Sequence, residues 1–116
     1  MKRIIIKRVY EKASNQDGYR MLVDRLWPRG VSKEDAKLDE WNKDIAPSAE
    51  LRKWFDHREE RFKEFITRYK KELHDKKDEL KRLKKITDNH QLCLLYGAKD
   101  EKNNQAVVLK LVLDSL

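Results

Sequence analysis

Between two short runs, Tyr19-Arg20-Met21-Leu22-Val23-Asp24 and Gln91-Leu92-Cys93-Leu94-Leu95-Tyr96, apolar side chains recur at helical spacing: Phe62, Phe65, Ile66, Tyr69, Leu73, Leu80 and Leu83. Each flanking run has strand length, and each is followed by turn or loop chemistry. Ile4-Ile5-Ile6 through Val9 supplies another strand, expected at about 3 to 10, β-branched and suited to burial on both faces. Strands separated by a long helical crossover, then a strand and a last helix, predict an α/β layer structure. We expect a small, three-layer-like single domain over residues 1–116, with about three strands in a largely parallel sheet and four or five helices. The short connection Ala13-Ser14-Asn15-Gln16-Asp17-Gly18 leaves the relative direction of the first two strands open.

Helix starts are marked by Ser32, with Asp35 three residues on, and by Ser48, which precedes a helix carrying Leu51, Trp54 and Phe55. Ser48 is read as a cap, since no nucleophile elbow surrounds it. An unbroken helix over 58 to 85 would measure about 42 Å, whereas a domain of this length is about 35 Å across. The spacing therefore predicts a break near His74 and Asp75. Asp100 is the expected cap of the last helix, which carries Ala106, Val107, Leu109, Leu111 and Leu113.

The net charge of +7 has two separate sources. Residues 1–30 hold 8 basic and 3 acidic side chains, and residues 51–90 hold 14 and 9. The second source is interleaved with acids placed four before bases at Glu59/Lys63, Glu64/Arg68, Glu72/Lys76 and Asp78/Arg82, as on a solvated helix face. Its lysines, Lys77, Lys81 and Lys85 among them, are expected to attract polyanions only nonspecifically. No apolar run approaches the roughly 20 residues of a membrane span, and Met1-Lys2-Arg3-Ile4-Ile5-Ile6 lacks the form of a signal peptide, so a cytoplasmic protein without membrane association is expected. A single cysteine, Cys93, flanked by leucines, reads as an inert core residue, and three histidines without cysteine partners carry no metal signature. No phosphate-binding loop or dinucleotide fingerprint is present, and no cofactor is expected.

In open α/β sheets, ligands bind beyond the carboxyl ends of the strands, which directs attention to the loops after Asp24 and Tyr96. The first offers Arg25 and Arg29, able to grip an anion bidentately, and Trp27, able to supply a stacking face. The alternative has Asp24 paired with one of these arginines and Trp27 in the core. The second loop brings Lys99 beside a helix N-terminus with Asn104 in the first turn. His57, at the end of a short helix, could serve as general acid or base or as a helix C-cap.

Gly18-Tyr19-Arg20, Val23-Asp24-Arg25-Leu26-Trp27-Pro28-Arg29-Gly30, Trp41, Ile45-Ala46-Pro47-Ser48, Leu51-Arg52-Lys53-Trp54-Phe55 and Leu95-Tyr96-Gly97-Ala98-Lys99-Asp100 with Asn104 resemble a bacterial domain-of-unknown-function family numbered 488, in its short YeaO-like branch. The resemblance spans nearly the whole chain and implies no established reaction. It adds weight to Asp24, Arg25, Trp27, Arg29, Ser48, Arg52, Trp54, Lys99, Asp100 and Asn104, most of them polar or aromatic and in predicted loops or helix starts. Longer members carry a Cys-His-Arg string after the strand corresponding to the third; this chain has Lys102-Asn103-Asn104-Gln105 there, which separates it from any thiol or histidine chemistry of those members.

The expected function is binding of a phosphate-bearing ligand, a nucleotide or nucleic-acid segment, in a basic cleft at the strand ends. Arg25, Arg29, Arg52 and Lys99 would hold the anion, Trp27 would stack, Asn104 would contact the ligand, and Asp24 or Asp100 would orient it. The alternatives are an enzyme acting on a small anionic metabolite, with Asp24, His57 and Asp100 as candidate catalytic groups, and a basic-helix protein-interaction module.

Overall fold

The computed structural model describes residues 2–116. Four strands form one parallel sheet in the order β1-β4-β2-β3: β1 (Ile4–Arg8), β2 (Tyr19–Leu22), β3 (Glu40–Trp41) and β4 (Leu92–Tyr96). The helices are α1 (Lys33–Ala36), α2 (Ala49–Phe55), α3 (Phe62–His74), α4 (Lys77–Ile86) and α5 (Gln105–Asp114), with a 3-10 turn at Glu59–Arg61. The first two strands are parallel and are not neighbours; β4 lies between them, with Ile4 opposite Leu92 on one side and Tyr19 opposite Leu92 on the other. A parallel link of such short length is possible because β1 and β2 stand two sheet spacings apart, about 10 Å.

Three expectations are corrected. The sheet has four strands instead of three: β3 is two residues long, carries a glutamate and lies at an edge, so no periodic pattern marks it. β1 is also an edge strand, and Ile5 and Ile6 are only half-buried, not enclosed on both faces. The third is the last helix, capped by Asn104 and not Asp100: Asn104 Oδ1 accepts from the Val107 amide at 3.1 Å.

The break in the long helical stretch falls where its length required. α3 ends at His74, α4 begins at Lys77, and the molecule measures 35 Å in its longest direction. Of the four spaced pairs, Glu64–Arg68 closes as an ion pair, while Arg82 turns to Glu79 and to Glu40 of β3. Glu72 is drawn instead to the N-cap of α2, where it accepts from Ser48 Oγ at 2.6 Å and from the Ser48 amide at 2.9 Å. Ser48 Oγ in turn accepts from the Leu51 amide, as a cap should.

One sheet face buries Met21, Val23, Leu92, Leu94 and Tyr96 against Phe65, Tyr69 and Leu73 of α3, Leu80 and Leu83 of α4, and Leu109 and Leu113 of α5. Each large side chain so enclosed contributes about 1.5 to 3 kcal/mol. The opposite face is thinner: Leu22, Cys93 and Leu95 lie under Ala36, Trp27, Val31 and Trp41, so α1 and the adjoining loops form that layer. Cys93 is fully buried there, and burial pushes its thiol up to about 11, as an inert core residue. Beneath α1, Arg20 and Asp17 are buried as an ion pair at 2.5 Å, with Lys7 at 3.1 Å from Asp17 and Ala36 O accepting from Arg20 Nη2 at 2.7 Å. Gly18 permits this corner, because its φ is +82° and a Cβ there would stand 2.3 Å from Gln91 O.

Candidate functional site

A concave cleft of about 550 Å³ opens at the carboxyl ends of β2 and β4. The loop after β2, the loop after β4 and the ends of α2 form its walls. Nine of the eleven residues singled out from the sequence line it: Asp24, Arg25, Trp27, Arg29, Arg52, His57, Lys99, Asp100 and Asn104; Ser48 caps α2 and Trp54 lies under Arg61 and Arg68, both away from the lining. Parallel pairing is the cause, since β2 and β4 are hydrogen-bonded neighbours running in one direction and their loops must leave the same sheet edge.

Asp24 ties the two loops together. Its Oδ2 accepts from the Gly97 amide at 2.9 Å, and its Oδ1 accepts from Gln105 Nε2. Its backbone carbonyl accepts from Trp41 Nε1 at 2.8 Å. Its partners are an amide and a carboxamide, not an arginine of its own loop. Burial pushes the carboxyl up to about 6, against the opposing influence of Gly97, Gln105 and the Arg52 charge. A Cβ on Gly97 would lie 2.9 Å from Asp24 Oδ2, so a larger residue there forces the carboxylate to shift.

The cations differ in their surroundings. Arg25 Nε donates to Pro47 O at 2.9 Å, which orients the guanidinium against α2. Arg29 and Lys99 stand exposed at the rim. Arg52, from α2, is different: among the described residues its Nε is the buried side-chain nitrogen that has no hydrogen-bond partner. A buried donor without an acceptor costs about 1 to 3 kcal/mol. Against these four cations the cleft sets two carboxyls, Asp24 and Asp100.

Trp27 is divided between two roles. Its ring meets Trp41 edge-on at 5.2 Å, and its Nε1 donates to Val31 O at 2.7 Å, so one face serves the thin layer of the core while the ring also borders the cleft. Asn104 is 1% exposed; its Oδ1 caps α5 and its Nδ2 donates to Asp100 O at 2.8 Å. Asp100 organises the loop ahead of the helix, accepting from Asn103 Nδ2 and from the Asn103 and Lys102 amides at 2.9 Å each, and these bonds, the Asn103 side chain's first, hold its carboxyl below the usual range. His57 is exposed at the mouth with a positive φ of 52°, directly after Asp56, whose left-handed backbone is the C-cap of α2.

Several lining residues were not marked by the sequence. Gln105 holds Asp24, Phe55 and Phe65 back the cleft from the buried core, and Tyr10 borders the rim, its hydroxyl donating to Arg29 O at 2.8 Å. Gln105 and Tyr10 carried a usable signal, because each follows a strand on the edge that selected Lys99. The two phenylalanines carried none, being indistinguishable from other core positions on the helical pattern.

The chain is 50% identical over 110 residues to the uncharacterized protein YeaO of Escherichia coli K12, covering 95% of this chain and 96% of that protein. It is 42% identical over 112 residues to the uncharacterized protein Rv3073c of Mycobacterium tuberculosis H37Rv, covering 97% of this chain and 94% of that one. No solved structure matches. The family model described as the inactive DUF488-N3 subclade matches residues 3–116, and the chain belongs to that family.

Proposed function

We propose that the protein binds a small phosphate-bearing ligand of the nucleotide class in this cleft and does not transform it. The observation that carries the reading is Arg52, a cleft-lining residue whose buried Nε has no hydrogen-bond partner among the described residues. An anionic oxygen at the cleft side of this guanidinium gains a charge-assisted bond in surroundings of reduced dielectric, and a turn of the side chain toward it gives Nε an acceptor. Arg25, Arg29 and Lys99 add positive potential around the mouth, and the half-buried Trp27 offers an apolar face for a ring. The volume of about 550 Å³ lies in the range of small-molecule sites. A concave pocket of this kind favours a single nucleotide over a nucleic-acid segment, which needs a long open groove with phosphate spacing. Binding is favoured over catalysis because the matching subclade is described as inactive and because His57 stands exposed without a polar partner that would orient it.

The test is thermal unfolding of the wild type with nucleoside monophosphates, phosphosugars and short oligonucleotides. A ligand at one hundred times its Kd stabilises by about 2.7 kcal/mol, a shift on the order of 10 °C for a domain of this size. A nucleotide-class hit that disappears in Arg52→Met is the expected result. No shift with any member of the panel refutes the reading.

A further inference from the structure

Asp24 is an odd neighbour for an anion. A carboxylate on the wall of a cleft that otherwise gathers four cations opposes a phosphate, and its loop-tying bonds do not require a charge. Asparagine in its place accepts from the Gly97 amide, and a rotated Gln105 carboxamide meets its NH₂. What the carboxylate adds over the amide is its charge and a second oxygen with a free acceptor position. Each of its oxygens has two acceptor positions, and the fold uses one on each. Its burial is partial, and it borders the same cavity as Arg52. The charged and titratable side chains that line the cleft with it are Tyr10 from the turn after β1, Arg25 and Arg29 from its own loop, Arg52 and His57 from α2 and the turn after it, and Lys99 and Asp100 from the loop after β4.

We propose that Asp24 is a specificity-determining residue that accepts a hydrogen bond from a hydroxyl of the ligand, so that the ligand class is a nucleoside monophosphate with free sugar hydroxyls. The inference rests on the reading of the cleft as a phosphate site. The phosphate meets Arg52, the sugar hydroxyls meet the spare acceptor positions of Asp24, and the base lies along Trp27. A carboxylate that accepts from a hydroxyl gives a bond roughly twice as strong as a neutral acceptor does. It also penalises a ligand that brings the anion without the donor.

The experiment is calorimetric titration of the wild type and Asp24→Asn with adenosine 5′-monophosphate and its 2′,3′-dideoxy analogue, at pH 7.5 and pH 5. Both probes carry the same phosphate, so its own titration cancels in the ratio of their affinities. The expected ratio in the wild type at pH 7.5 favours the hydroxylated probe by about ten- to a hundredfold. It should fall severalfold at pH 5, where the Asp24 carboxyl takes up its proton, and severalfold in Asp24→Asn at both pH values, because a neutral acceptor keeps only part of the bond. Should Asp24→Asn fail to fold, the pH dependence of the wild-type ratio decides alone. A wild-type ratio near one, or a ratio that Asp24→Asn preserves, overturns the inference and leaves the phosphate site standing. Binding of other phosphate esters without the nucleoside monophosphate also overturns it. Silence toward every phosphate compound overturns the site itself.

Discussion

Arg52→Met separates a binding residue from a structural one, because the two roles predict opposite signs for stability. Methionine matches the length of the arginine stem and keeps its packing while removing a buried Nε that has no acceptor. Relief of that donor is worth about 1 to 3 kcal/mol. Two effects reduce the gain. The outer guanidinium nitrogens reach the cleft and are solvated, and loss of the Arg52 charge raises the carboxyl of Asp24 further, since that charge opposes the rise. The net expectation is a ligand-free protein more stable by about 1 kcal/mol, on the order of 4 °C in Tm for a domain of this size. Ligand stabilisation should vanish at the same time. Urea unfolding with and without a saturating nucleotide measures both quantities on one sample. A variant destabilised by more than about 2 kcal/mol would show that Arg52 holds the fold through contacts at its outer nitrogens, and the argument from the orphaned Nε would be refuted.

Other expectations follow from the same geometry. Arg29→Ala should leave stability unchanged, because the side chain is exposed, and Arg25→Ala should cost only about 1 kcal/mol for its bond to Pro47 O; both should weaken ligand binding ten- to a hundredfold, on the order of one charge-assisted contact each, and a large loss of Tm in both would make them structural. Asp17→Ala should cost about 3 to 5 kcal/mol in urea unfolding, because it strands the Arg20 guanidinium under α1; a loss below 1 kcal/mol would remove that network from the core account. Asp17 and Asp24 should act on pH dependence in opposite directions. Burial opposes it, but the Ser14 amide, Lys7 and Arg20 hold the Asp17 carboxyl below its unfolded value of 3.8, so its contribution is present above that value and is lost as pH falls through the folded pKa. The folded pKa of Asp24, about 6, lies above 3.8, so the folded state binds the extra proton between these values and stability falls as pH rises through that window. The full shift sets an upper bound of about 3 kcal/mol, reduced to about 1 to 2 because the carboxyl borders the open cleft. Asp24→Asn should flatten this part of the pH profile; a profile identical to wild type would contradict the placement of Asp24.

The order of elements was legible because hydrophobic periodicity is a local property. The Ile4–Val9 and Leu92–Tyr96 runs, the helical spacing from Phe62 to Leu83, and the caps at Ser32 and Ser48 all declare themselves within a few residues. The break at His74 was legible too, from the length of a helix set against the size of a domain. The edge location of the site followed from strand order alone, which is why Asp24, Arg25 and Lys99 could be named together. Other features depend on contacts between residues far apart in sequence. That β4 lies between β1 and β2 is a matter of register and packing, and no property of residues 11–18 expresses it. β3 exists because Met21 and Leu22 offer an unpaired edge to Glu40 and Trp41, a tertiary contact without a local pattern. Asn104 and Asp100 both suit a cap, and only the path of the loop decided between them. The tertiary structure likewise decided which arginine lacks a partner, since hydrogen-bond satisfaction belongs to the folded surroundings. Arg25 found Pro47 across 22 residues, whereas Arg52, no different as a residue type, was left with its Nε buried and unmet beside the cleft.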